Sequence, residues 1–166
     1  MTLTLHSRNG RAVAVLSAAV LATACAQPAD DASPYMPVGD VQQLMAYVVE
    51  PAAEVYWDAV GIIVDEEGEH QMAPTTDEEW LAVSSAAYTV AEAGNLMMMP
   101  GYALDDGAWL ELSRALIEVG RRAVEAADAR SLDAVFDMGA EVYYVCTNCH
   151  ATYAAETLRP TDARSN

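Results

Sequence analysis

The chain has 166 residues and a formal charge of −17, with 25 acidic residues, 8 basic ones and no lysine. Nucleic acids and anionic membrane surfaces are recognised through clustered positive charge, so this balance excludes both as partners. The length suits one domain, and hydrophobic residues at 53% are enough to fill a single core. Aromatics are few and alanine is abundant, which favours packed helices, because alanine leads the helix-propensity scale and is depleted in strands.

At the N-terminus, His6, Arg8 and Arg11 precede an apolar run, AVAVLSAAVLATA at 12–24, that is short for a bilayer span and ends in small residues. Residues 1–24 therefore read as a signal peptide cleaved near 24–26, and the protein as periplasmic. Two processing routes compete. ATA before Cys25, or ACA before Gln27, suits an ordinary signal peptidase; LATAC resembles a lipoprotein box with Cys25 lipidated, although Leu21 stands four residues before the cysteine instead of three. Only lipidation of Cys25 would attach the protein to a membrane. Residues 25–38, with the stretch AQPADDASPYMP, form a polar, proline-bearing tether. A chain beginning at Cys25 keeps all 25 acids and six of the arginines, a charge of −19.

The folded domain is expected over 39–158, with 159–166 as a tail. Four helical patterns are predicted in it. The first, 41–64, places Val41, Leu44, Met45, Val48, Ala52, Val55, Ala59 and Ile62 at three- and four-residue spacing, with a kink or break at Pro51. A linker, DEEGEHQMAP, follows without periodicity. The second helix is predicted from Thr75 or Thr76 as cap, with Asp77, Glu78 and Glu79 at the positive end of its dipole, to a stop at Pro100 and Gly101. The third carries Trp109, Leu112, Leu116, Val119 and Ala123 on one face and ends near Ala129. The fourth starts from Ser131 and runs through Cys146, Cys149, His150 and Tyr153. This pattern describes an all-α, up-down-up-down antiparallel four-helix bundle.

The stretch VYYVCTNCHATY, 142–153, carries the chemistry. A Cys-x-x-Cys redox centre normally opens a helix after a strand, where the dipole lowers the thiol pKa, whereas this pair lies late in a helix. Structural zinc needs about four ligands in paired spacing, which Cys146, Cys149, His150, His70 and Cys25 do not provide. A disulfide across Cys-x-x-Cys inside a regular helix would be strained. Covalent haem attachment accounts for every position. Two thiols one helical turn apart reach two vinyl groups on one porphyrin edge, and the histidine after the second cysteine lands one turn beyond the first, in reach of the iron. Export is consistent with it.

With this motif near the end of a helical bundle, residues 41–153 resemble the class II c-type cytochromes, the cytochrome c′ and cytochrome c556 group. The resemblance rests on Cys146, Cys149, His150, the aromatic Tyr153 three residues later, and Met45 on the first helix. It implies one covalent haem c, tethered by Cys146 and Cys149, with His150 as proximal iron ligand. The family often has a basic residue after the aromatic; Ala154 and Ala155 stand here, which leaves its role to Arg159 or to an arginine of the third helix. The resemblance also implies that a distal ligand comes from the first helix, making Met45 the candidate, while its other reading is a core methionine. If Met45 ligates, the haem is six-coordinate and suited to electron transfer; if it does not, the open iron binds small gases such as nitric oxide or carbon monoxide. Family members often pair as homodimers through their first two helices.

Other residues receive plainer readings. Met97, Met98 and Met99 read as packing, His70 as a solvated residue of the linker, and Trp57, Trp80 and Trp109 as bundle or porphyrin-flanking groups. No paired carboxylates, nucleophile with base, or phosphate loop stands out, so the chain does not read as an enzyme. Its charge calls for a redox partner with a basic docking patch.

Overall fold

A computed structural model describes residues 34–155. They belong to the second of two contact units, Ser33–Asn166; the first, Met1–Ala32, lies outside the described residues, and with it the predicted signal peptide and Cys25. Arg159 and the predicted tail also lie outside them.

The first helix begins at Asp40, whose carboxylate accepts the Gln43 amide at 2.8 Å while the Gln43 side chain accepts the Asp40 amide at 3.0 Å. This reciprocal cap satisfies two donors that a helix start leaves without partners. An α-helical turn, α1 (Val41–Leu44), passes into a π-helical segment (Met45–Val49) and then into α2 (Glu50–Trp57) without a break. Pro51 explains the π segment. Proline lacks an amide hydrogen and its ring crowds the carbonyl four residues back, and an inserted wide turn is one way a helix absorbs this. The Glu50 amide accordingly donates to the Met45 carbonyl, five residues earlier. The kink or break predicted at Pro51 takes the form of a local change of helix type.

Beyond Trp57 the chain turns, and a β-hairpin replaces the predicted last turns of the first helix. Strand β1 (Gly61–Asp65) pairs antiparallel with β2 (Gly68–Met72), in a register running from Gly61 opposite Met72 to Asp65 opposite Gly68. Ile62, Ile63 and Val64 are β-branched, which lowers their helix propensity and suits a pleated strand. The Asp65 carboxylate accepts the Glu67 amide at 2.9 Å, and Gly68 closes the turn at φ +128°, a backbone conformation that glycine adopts without a Cβ penalty. The hairpin stands away from the core, with Ile62 and Val64 about 70% exposed (68% and 71%).

Three long helices follow. Helix α3 (Asp77–Met97) is capped by Thr76, with Glu79 completing the box, and those amide bonds from Thr75 and Thr76 hold the Glu79 carboxyl below its usual range. Helix α4 (Ala108–Asp128) ends in a tight connection through Arg130, at φ 52°. Helix α5 (Leu132–Tyr153) starts on Ser131, whose hydroxyl accepts the Ala134 amide at 3.3 Å. These starts and stops match the signals in the sequence.

Cross-contacts give the helix directions. Ser84 bonds Asp128 at 2.6 Å and the Trp109 indole donates to the Met97 carbonyl at 2.7 Å, so α3 and α4 run antiparallel. They also approach closely: a Cβ on Gly120 would sit 2.7 Å from the Ala91 Cα. Trp57 donates to the Gly139 carbonyl at 2.9 Å, and the Tyr56 hydroxyl reaches the Ala123 carbonyl at 3.3 Å, which fastens α2 to α5 and α4. The core between them is apolar apart from Ser113, whose hydroxyl is satisfied by the Trp109 carbonyl at 2.8 Å.

The hairpin corrects the predicted fold class. The protein is mostly helical with an antiparallel β-hairpin inserted between α2 and α3, and is not an all-α up-down-up-down four-helix bundle. It also sets the chain apart from the purely helical architecture of the cytochrome c′ and cytochrome c556 group, so that resemblance does not carry over to the fold. Among the described residues, no helix is long and apolar enough to cross a membrane.

Candidate functional site

Helix α5 carries Val142, Val145, Cys146, Cys149, His150 and Tyr153 at three- and four-residue steps, so these side chains share one face. Val142 is buried in the core, while Val145, both cysteines, His150 and Tyr153 are half-buried. Val145, Cys146, Cys149, His150 and Tyr153 form one side of a cavity of about 730 Å³, within the range of small-molecule and cofactor sites. Met45, Ala46, Val49 and Glu50 reach the same cavity from the first helix, and Met97 from the end of α3. Trp109, Leu112 and Leu116 of α4 complete an apolar lining.

The structure thus brings Cys146, Cys149, His150 and Met45 to one cavity from opposite ends of the domain. Met97 and Glu50, which were not predicted as part of a site, also stand in its wall, together with Trp109, which was read as a bundle or porphyrin-flanking group. Met97, read from sequence as packing, is buried at 2% exposure and also lines the cavity. Trp109 lies edge-on to Tyr153, ring centres 5.0 Å apart at 87°. Glu50, exposed at the rim, is an acidic residue in a largely apolar wall. The sequence signals were weak: a methionine in a run of three, a tryptophan on a helical stripe, and a glutamate before a proline.

Tyr153 is tied down at the mouth. Its hydroxyl donates to the Asp105 carboxylate, which also accepts the Gly107 amide at 2.8 Å and the Trp109 amide at 3.2 Å. The loop before α4 is thereby fastened to the last turn of α5. The Tyr153 bond, followed by the two amides, holds the Asp105 carboxyl below its usual range. Met98 and Met99 are half-buried beside the loop. His70 is exposed on β2, its Nε2 3.2 Å from Asp65, and does not line the cavity.

Both thiols are free. Burial, then the neighbouring Cys149 and Glu50, pushes the Cys146 thiol up to about 11, and burial raises Cys149 as well. A dithiol redox centre needs the opposite shift, since the thiolate is its nucleophile. Among the described residues, no three histidine, cysteine or acidic side chains form a cluster able to hold a metal ion. The cavity has a largely apolar lining, with two protonated thiols, one imidazole and thioether sulfurs in its wall, and is large enough for an apolar cofactor. No arginine of α4 lines it; Arg114 and Arg121 pair with Glu111 and Glu118 at 2.7 and 2.9 Å on the surface.

No family model matches the chain, and no curated protein or solved structure matches it either.

Proposed function

We propose that this chain is an exported c-type haem protein that transfers electrons. The observation that carries the reading is the shared cavity: the Cys-x-x-Cys-His sequence of α5 and Met45 of the first helix lie in the wall of one apolar space of about 730 Å³. Cys146 and Cys149 would tether one haem through their thiols, and His150 and Met45 would supply the proximal and distal iron ligands. When bound, the haem supplies a one-electron couple between ferric and ferrous iron. The apolar side chains of Val49, Leu112 and Leu116 would keep water away from the group, and Trp109 packs edge-on against Tyr153 of the helix that carries His150. With Met45 as a ligand in both oxidation states, little rearrangement would accompany electron transfer. A basic redox protein is the partner that the charge of −17 favours.

Absorption spectra of the purified protein, oxidised, reduced and under carbon monoxide, test the ligand set. A low-spin, six-coordinate spectrum is expected, changing to high-spin and carbon-monoxide-sensitive in Met45→Ala. A high-spin wild type unaffected by Met45→Ala would remove the methionine from the iron and point to gas binding at an open distal side.

A further inference from the structure

Glu50 is the wall residue that the electron-transfer reading leaves without a task. Its position follows from the π turn. In an α-helix, residues five apart face different directions, whereas a turn closed by a bond five residues back stacks them. The Glu50 amide makes that bond to Met45, and both residues line the same cavity as Cys146, Cys149 and His150. Asp40 is the other carboxylate in the wall, but it lies at the helix cap, where it accepts the Gln43 amide at 2.8 Å. Glu50 is the acid whose charge is felt at Cys146, where it helps to raise the thiol.

We propose that Glu50 lowers the reduction potential of the bound cofactor by holding a negative charge in the cavity wall beside Cys146. This rests on the haem reading above. Adding one electron lowers the positive charge of the centre by one, and a nearby carboxylate attracts the more positive, oxidised form more strongly. The apolar lining strengthens that attraction, and solvent at the open rim, where Glu50 is exposed, weakens it. The π turn at Pro51 thus delivers two groups to the cofactor together: a ligand sulfur and the charge that sets its potential.

Potentiometric titration of the exported holoprotein at low and high salt tests this, with wild type, Glu50→Gln and Glu50→Asp. Glu50→Gln is expected to shift the one-electron equilibrium at least about threefold toward the reduced form at low salt, about 28 mV on a scale of 59 mV per tenfold. Glu50→Asp is expected to retain most of the wild-type potential, and the difference between wild type and Gln is expected to shrink with salt. Packing alone would produce neither the rescue nor the salt dependence. An unchanged potential in Glu50→Gln, or an equal shift in Glu50→Asp, would overturn the proposal. Should Glu50→Gln fail to fold, Glu50→Ser decides: its potential is expected to lie above the wild-type value by a margin that shrinks with salt, and an unchanged potential would overturn the proposal. Absence of covalent haem from the wild type, seen on a denaturing gel beforehand, would overturn the haem reading itself and this role with it.

Discussion

Tyr153 stands one helical turn beyond His150, and its bond to Asp105 makes the end of α5 sensitive to pH at both extremes. The Asp105 carboxyl is held below its ordinary value of 3.8, so its share of stability is complete above that pH and is lost as pH falls through the lower folded value. The Tyr153 hydroxyl is pushed from 10.0 up to about 12 by the Asp105 bond, then by burial and the Asp105 charge. Its share is complete below pH 10.0 and is lost as pH rises through about 12. Tyr153→Phe should therefore lower the thermal midpoint between these limits, with the variant and wild-type curves converging at both ends. A gap that stays constant across the whole pH range would assign the effect to packing alone. Cys146, Cys149 and His150 could be named from sequence because their spacing is local to one helix. Glu50 and Met97 could not, because the cavity they share with α5 exists only once other elements have packed against that helix.

Among the elements, α3, α4 and α5 were legible because each begins or ends on residues with one local explanation, such as Thr76, Ser131, or the Pro100–Gly101 pair. The first helix was misread beyond Trp57. Val55, Ala59 and Ile62 continue a helical spacing, and a short apolar run satisfies helix and strand periodicity alike. The glycines at 61 and 68 and the β-branched run between them decide for the hairpin. Pro51 was read as a kink or break, and a π segment just upstream accommodates it. Packing of α3 on α4 depends on closeness that no stripe reveals. Gly120→Ala would place a methyl 2.7 Å from the Ala91 Cα, against backbone that cannot swing aside. It should cost about 1–3 kcal/mol through overpacking, exceeding the roughly 1 kcal/mol that alanine's helix propensity returns. Denaturant unfolding would show this as a lower midpoint with an unchanged slope, and an unchanged or raised midpoint would contradict the close approach.

At the scale of the whole molecule, charge and cavity are complementary features. A chain at −17 without lysine repels acidic surfaces and attracts basic ones over distances that salt shortens. Electron exchange with a basic redox protein should therefore slow as ionic strength rises, measured as a second-order rate; a rate that is flat or rises with salt would exclude electrostatic docking. The cavity is where the proposed haem would sit, and covalent attachment is the property on which that proposal depends. Denaturing gel electrophoresis with haem staining, backed by intact mass, compares the exported wild type with the double variant Cys146→Ser, Cys149→Ser. The expected result is one haem that stays with the denatured wild-type chain and leaves the variant; a wild type that gives up its haem on denaturation, or never carries one, would contradict the assignment.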